Sequence, residues 1–538
     1  MRSVTSYRRN SVCQTRREAG AVLLIVLFVI VVVSLSAYTF TELMLTHYEG
    51  ARTSVRQAQT RALVDSGIEM VKYLLFLTED ERQAAGGIYD NQAALRGVVV
   101  VPDNDPRQLG CFSVLAPSLD SDGNSAGVRF GLEDESTRLN LNFLPLADRL
   151  VENGGRTLLM ALPGMTEDIA DAILDWLDED DEPREFGAES DYYSRLQPPY
   201  QPKNGPLDSV EELLLVRGVT PELLFGLDTN RNGIIDPHEL SMQAAGANTA
   251  VLLNQPELQR GWAPYLTLYS AEKNVNSSGQ PRINVNQENM EQLYNELVAV
   301  LPVEWAIFIV AYRQNGPYTG DAPSQPVPAD AQLDLGRQPS TTIGQLLDLV
   351  GAKVQVQFFG TSDAVVIDSP FVPDIGAMNL YLPTLLDNCS VTSAQVIPGR
   401  ININQAPRVV LMGIPGMDEE LVDEIIRNRD VTGQAQVDNP NLRFETWLLT
   451  EGLMFNEEGQ PDIARMKQLT VFCCGKGDVY RAQVVGYFQE GGVSSRAEIV
   501  IDNTQAVPQV VFWRDLSHLG RGYNLATLGI NLGNQLGL

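Results

Sequence analysis

Ala21-Val-Leu-Leu-Ile-Val-Leu-Phe-Val-Ile-Val-Val-Val-Ser-Leu-Ser-Ala-Tyr-Thr-Phe40 runs for 20 residues without a charge. At ~1.5 Å rise per helical residue, that length matches the ~30 Å hydrocarbon layer of a bilayer. Arg2, Arg8, Arg9, Arg16 and Arg17 precede it, and Glu42 and Glu49 follow. By the positive-inside rule the first residues stay cytoplasmic and everything after the span is exported. A removable secretory signal is the plain alternative. Its apolar core is ~7–15 residues and closes on a small-x-small site; this run is longer and has no such close.

C-terminal to the span the helical pattern continues, with Ala51, Val55, Ala58 and Ala62, then Val64, Ile68, Val71 and Leu75, at steps of three and four. One helix from Ala21 to about Leu77 would be about 85 Å long. Its first half belongs in lipid or in a helical bundle, and its second half packs on a globular head. On the N-terminal side, Arg17-Glu-Ala-Gly20 followed by Ala21-Val-Leu-Leu-Ile25 resembles the class III leader junction of type IV pilins and type II secretion pseudopilins. The resemblance implies cleavage after Gly20 by prepilin peptidase and methylation of the new terminus, Ala21. Most of that superfamily carries Glu at the fifth mature position, where this chain has Ile25. The missing acid resembles the K-type minor pseudopilin, for which it implies a place at the filament tip.

Charge narrows the function classes. The 538 residues hold 39 Lys+Arg against 68 Asp+Glu, a formal charge of −29, and loss of the leader with its five Arg and Glu18 takes this to −33. Nucleic-acid binding draws on cations that neutralise phosphates, so this balance disfavours it. Three His and five Cys leave little for His-based catalysis or a zinc cluster. Gly123-Asn-Ser125-Ala-Gly127 matches the hydrolase pattern G-x-S-x-G, but it sits in a turn followed by a strand, where a nucleophile elbow needs a helix. No enzyme is expected. Cys13 leaves with the leader; for Cys111, Cys389, Cys473 and Cys474 one or two disulfides are open, with no pairing deducible.

Past the helix, Leu109–Leu115 and Gly127–Leu132 read as strands around the turn Asp120–Asn124. Helical patterns then dominate to about residue 430, and strand signals return at Thr470–Cys474, Tyr480–Phe488, Arg496–Ile501 and Gln509–Trp513. A strand-rich end after a helical middle predicts one sheet interrupted by an insertion. Within the middle, Arg138-Leu-Asn-Leu-Asn142, Arg282-Ile-Asn-Val-Asn286 and Arg400-Ile-Asn-Ile-Asn404 repeat one pattern at intervals of 144 and 118 residues. The first and third copies lead to Leu162-Pro-Gly-Met165 and Ile414-Pro-Gly-Met417, a helix-hairpin-helix signature; the second leads to Leu301-Pro302 without the Gly. DNA-binding hairpins grip phosphate at that turn. Here 12 acids face one base, Arg184, between Pro163 and Asp191, so a compact packing module is the stronger expectation.

Asp175-Trp-Leu-Asp178, Asp191-Tyr-Tyr193, Pro199-Tyr200, Lys203-Asn-Gly-Pro206, Ser209-Val-Glu-Glu-Leu213 and Val216-Arg-Gly-Val-Thr220 extend the resemblance to the K-type pseudopilins. It implies an α+β fold: a pilin-like long N-terminal helix plus antiparallel sheet, with a large inserted all-α (helix-hairpin-helix/SAM-like) domain. The expected division is leader 1–20, helix 21–77, first sheet part 78–140, inserted helical domain 141–280, a second helical region 281–430 with an unmatched insertion 318–398, C-terminal strands 431–514 and a tail 515–538.

Asp228-Thr-Asn230-Arg-Asn232-Gly233-Ile234-Ile-Asp236-Pro-His-Glu239 matches a 12-residue EF-hand loop. Asp228, Asn230, Asn232 and Asp236 offer side-chain oxygens, Ile234 its carbonyl and Glu239 two oxygens, while Gly233 allows the sharp turn. Ca²⁺ is the expected ligand, and His238 is expected to point away. The acidic loop 175–191 has two readings: a second Ca²⁺ site, with Asp178, Asp180, Glu182 and Asp191 as candidate ligands, or a solvated acidic face. Calcium in the helical domain is what the resemblance implies.

The expected function is a minor pseudopilin of the type II protein secretion system, capping the periplasmic pseudopilus. The resemblance implies as partners the I-, J- and H-type minor pseudopilins, the major pseudopilin, prepilin peptidase and the inner membrane, which one helix spans with the head periplasmic. The alternative is a DNA-uptake or type IV pilus minor pilin using its hairpins.

Overall fold

In the computed structural model, which describes residues 15–243, 256–328 and 331–529, one helix runs from Thr15 to Phe76. Arg2, Arg8, Arg9 and Cys13 lie outside the described residues. The helix divides by environment. From Ala21 to Gln59 it is almost wholly exposed, and none of its most apolar window is covered by the rest of the chain. From Thr60 onward Leu63, Val64, Ile68, Val71, Leu74 and Leu75 are buried. Burial of six such side chains contributes on the order of 10 kcal/mol, enough to dock this half. Of the stripe expected from the sequence, Val64, Ile68, Val71 and Leu75 are buried in the core shared with the sheet, whereas Ala51, Val55, Ala58 and Ala62 stay exposed.

Helix and sheet approach closely at two glycines. A Cβ on Gly486 would come 2.3 Å from the Thr60 carbonyl oxygen, and one on Gly67 would come 2.5 Å from Val484 Cγ1. The helix ends where Arg82 folds back to donate to the carbonyls of Leu74, Leu75 and Leu77. A capping box between Thr78 and Glu81 then starts the next, short helix.

The sheet is antiparallel, in the order Val98–Val101, Gly110–Leu119, Val479–Phe488, Ser494–Asp502, Gln509–Asp515. Ser125–Arg129 pairs with Gly110–Leu119, and Glu133–Asp134 pairs with Val479–Phe488. The strand at Gly110–Leu119 is thus hydrogen-bonded to one that starts 360 residues later, Gln483 facing Leu115 and Phe488 facing Gly110. Residues 135–478 are an insertion into one sheet, as the strand-helix-strand order predicts.

The insertion is built from three modules, each opened by one copy of the repeated pentapeptide. Leu139–Asn140 pairs in parallel with Leu266–Thr267, Ile283–Asn284 with Cys389–Ser390, and Ile401–Asn402 with Cys473–Cys474. In every copy the first Asn accepts the amide of the second: Asn140 from Asn142, Asn284 from Asn286, Asn402 from Asn404. The second Asn then ties down a distant backbone, at Leu207, at Ile343 and Val391, and at Leu442 and Gly475. The pattern repeats because an Asn amide is both donor and acceptor and can close a turn while bridging two chains. One apolar core, from Leu139 to Cys473, unites the modules.

Two expected boundaries move. Residues 318–398, expected as an insertion, close the middle module at Cys389–Ser390. Residues 431–474 belong to the third module, not to the C-terminal strands: the short helix Ile463–Leu469 precedes Cys473–Cys474, and the large sheet resumes only at Val479. The strand signal at Thr470–Cys474 came from an apolar run that pairs locally with Ile401–Asn402. Past Asp515 the chain packs back: Tyr523 and Leu528 join the sheet core. Cys111, Cys389, Cys473 and Cys474 are all buried and unpaired. Ser125 opens a strand, so no nucleophile elbow forms there.

Candidate functional site

Both acid-rich loops lie in the first module. The loop 228–239 closes on the short helix Pro237–Gln243. Arg231 and Gly233 adopt left-handed backbone, φ 56° and 77°, which bends the chain around the carboxylates. Asp228, Asn232 and Glu239 are buried. Asp228 accepts the amides of Asn232 at 3.1 Å and Gly233 at 2.8 Å. Glu239 accepts the Thr229 amide at 2.9 Å, its hydroxyl at 2.8 Å, the Asn230 amide at 3.1 Å and the Asp236 amide at 2.9 Å. Asp236 receives the side-chain amides of Asn230 and Asn232. Burial pushes Asp228 up to about 6, against the opposing pull of the Gly233 and Asn232 amides.

These residues fit an oxygen-seeking cation. Asn230 Oδ1 is buried without a hydrogen-bond partner, and it is one of the side-chain oxygens the EF-hand pattern assigns to the ion. Asn232 Oδ1 is taken by the Ile234 amide at 2.7 Å. The expected ligand positions 228, 230, 232, 234, 236 and 239 therefore share one loop, with Asp228 and Glu239 as its buried carboxylates. His238 differs from expectation: its ring lies within 4.8 Å of oxygens of Asp236 and Glu239, at the exposed rim.

The loop also joins parts of the molecule. Asn232 donates to the Gly522 carbonyl at 2.6 Å, Tyr523 OH donates to the Asn232 carbonyl at 3.1 Å, and Gln483 of the central strand donates to the Arg231 carbonyl at 2.6 Å. Beneath it, Arg496 donates to the Asn230 carbonyl.

In the second loop the structure places the four candidate residues differently. Asp180 accepts the Glu182 amide at 2.9 Å, Glu182 is exposed, and Asp191 points outward beside Arg195. Of the four candidates only Asp178 faces inward: its Oδ1 is buried without a partner, while its Oδ2 pairs with Arg184. The missed residues are Glu189, whose two carboxylate oxygens are both buried without a partner, and Asn204, whose Oδ1 is likewise orphaned. Asp181 interacts with both of them. Burial, and then the charges of Asp175, Asp178 and Asp181, push Glu189 up to about 8. Asp178, Glu189 and Asn204 thus carry buried acceptors without a donor, with the exposed Asp181, itself held by Ser190, beside Glu189 and Asn204. A turn signal at Asn204-Gly205-Pro206 was legible, and Asn204 holds a positive φ of 46°.

The hairpin turns are packed, not open. A Cβ on Gly164 would meet Leu258 at 2.9 Å, and one on Gly416 would meet Leu469 at 3.5 Å. The helices that follow start with Glu167 and Asp168, and with Glu419 and Glu420, so a phosphate would meet carboxylates. At the leader junction, Gly20 and Ala21 lie within the long helix, and Ala21 is exposed.

Comparison with known proteins bears on the first module. Residues 137–228 match the family model described as "Type II secretion system (T2SS), protein K". The type II secretion system protein K of Klebsiella pneumoniae is 26% identical over 212 residues, covering 38% of this chain and 60% of that protein. That of Pectobacterium carotovorum subsp. carotovorum is 29% identical over 221 residues, with the same coverage. The chain thus spans about 60% of the length of these curated relatives. A crystal structure of the GspK-GspI-GspJ complex from enterotoxigenic Escherichia coli aligns over 88% of this chain and 98% of that one, at 10% identity and a TM-score of 0.30. The first module, residues 137–228, is thus similar to the protein K family of the type II secretion system.

Proposed function

We propose that this protein is a minor pseudopilin of the type II protein secretion system, seated at the tip of a periplasmic pseudopilus and supporting export of folded proteins. One observation carries the reading: a protein K domain is inserted into an antiparallel sheet behind a helix whose apolar half is bare. Twenty uncharged residues left in water would be costly, so that half takes lipid before assembly and neighbouring helices after it. The helices of I-, J- and H-type minor pseudopilins and of the major pseudopilin are the partners it suits. The bulk of residues 135–478 favours the tip, because three fused modules do not pack inside a filament of slim subunits. The Arg-rich start remains on the cytoplasmic side of the inner membrane and the head is periplasmic.

On this reading prepilin peptidase cuts after Gly20 and Ala21 becomes the methylated terminus. Ca²⁺ fits both acid-rich loops: it would supply the positive charge that the buried carboxylates lack, held by Asp228, Asn230, Asn232, Ile234, Asp236 and Glu239 in one and by Asp178, Asp181, Glu189 and Asn204 in the other. The protein's work is assembly, not catalysis. Gly20→Ala should leave the precursor at full length on immunoblots and abolish secretion in a complementation assay. Normal processing of that variant would sink the cleavage assignment.

A further inference from the structure

The three pentapeptides place an arginine at equivalent positions, and two of the three have partners. Arg138 binds Glu133 through Nε at 3.1 Å and Nη2 at 2.5 Å. Arg400 binds Glu272 at 2.5 Å and Glu445 at 3.4 Å. Among the described residues Arg282 has no carboxylate within ion-pair distance; its Nε is buried without a hydrogen-bond partner, and its guanidinium rests 5.9 Å from the Phe444 ring centroid. The fold therefore pairs this arginine with carboxylate in the first and third modules and leaves the middle one open.

Arg282 lines a crevice of about 1110 Å³ where the three modules meet the end of the long helix. Arg443 lines it too and also has no ion-pair partner among the described residues. The acids there are engaged: Glu79 with Lys476, Glu272 and Glu445 with Arg400, Asp387 with Ser277, and Asp478 with the Lys273 amide. Only Asp80, at the start of a short helix, is left out of these pairs. Phe143, Leu146, Leu150 and Leu346 give the crevice apolar walls. Its volume is at the top of the range of about 300–1,000 Å³ for small-molecule pockets, and its lining runs across all three modules, which suits an extended segment.

We propose that the crevice is a peptide-binding site in which Arg282, with Arg443, receives a carboxylate of an acidic segment, completing the arginine–carboxylate pair that the other two modules make internally. A carboxylate is the chemistry the fold itself places on this arginine, and guanidinium holds it with paired hydrogen bonds. The site stands apart from the calcium loops and does not depend on the secretion reading.

The test is fluorescence anisotropy with full-length protein in detergent micelles and a fluorescein-labelled peptide carrying two aspartates between leucines, against its asparagine twin. The aspartate peptide should bind at least about tenfold more tightly, the scale of one charge-assisted pair. Arg282→Gln should bring its affinity down to that of the twin, Arg443→Gln should weaken it in the same direction, and Arg195→Gln, outside the crevice, should leave it unchanged. Circular dichroism checks each variant; if Arg282→Gln fails to fold, Arg443→Gln carries the test. Equal binding of the two peptides, or unchanged binding in a folded crevice variant, overturns the proposal. Displacement by acetate at the concentration at which unlabelled peptide displaces overturns it as well.

Discussion

In the loop 228–239 every oxygen of Asp228 and Glu239 receives a hydrogen bond from the loop itself, whereas in the loop 175–191 both oxygens of Glu189 and one of Asp178 receive none. The first carries a full motif and the second carries only acid. A motif reports the order in which ligands leave the chain; it does not report whether their charge is compensated. Where the carboxylates are already held by amides, an ion adds to a formed loop. Where they are buried and orphaned, an ion or a proton has to supply what is missing.

The largest effect that could break this comparison is expected from Glu239→Ala. It strands the donors of Thr229, Asn230 and Asp236 around a buried site, and each unsatisfied buried group costs ~1–3 kcal/mol. Urea denaturation should show a loss of about 3 kcal/mol with or without calcium, alongside loss of one calcium equivalent by calorimetry. A cost below about 1 kcal/mol would mean the loop does not hold itself together.

Glu189→Gln should act in the opposite sense. It removes an uncompensated buried carboxyl without changing shape, so in chelator at pH 8 it should raise stability by at least about 1 kcal/mol. The stabilisation that calcium gives the wild type should shrink in the same variant. Undiminished calcium binding would show that the orphaned oxygens are not ligands.

The contrast sharpens in pH. Glu189 keeps its proton up to about 8 in the fold and has an ordinary value of 4.5. Between these values the unfolded chain binds fewer protons, so metal-free stability should fall as pH rises from about 4.5 to about 8 and then level off. Glu189→Gln should flatten that decline in a pH series of urea melts, while Glu239→Ala should leave it in place.

Much of the fold was legible. The uncharged run, its amphipathic continuation and the separated strand groups are local patterns, and each reads correctly because helix and strand periods depend on neighbours in sequence. The repeated Asn pairs were visible as a motif but not as what they do, since Asn142, Asn286 and Asn404 bind backbone 38 to 105 residues away. The closing half of the middle module was missed because it lacks the Pro-Gly turn that marks its siblings, and only the ladder at Cys389–Ser390 reveals it. The order of the acceptors in the first loop is a sequence pattern, and the structure shows Asp228 and Glu239 as its buried carboxylates. In the second, the buried acceptors of Glu189 and Asn204 are not legible, because a run of acids does not say which side chains face inward.

By itself the sequence determined the bilayer-length helix, the interrupted sheet and the order of oxygens along residues 228–239, all consequences of spacing along the chain. The tertiary structure alone decided which carboxylates are orphaned, that Tyr523 returns to brace the loop 228–239 against the central strand, and that Arg282 lacks the partner Arg138 and Arg400 possess. These rest on whether a buried polar group meets its complement, and that complement arrives from residues whose distance along the chain carries no pattern.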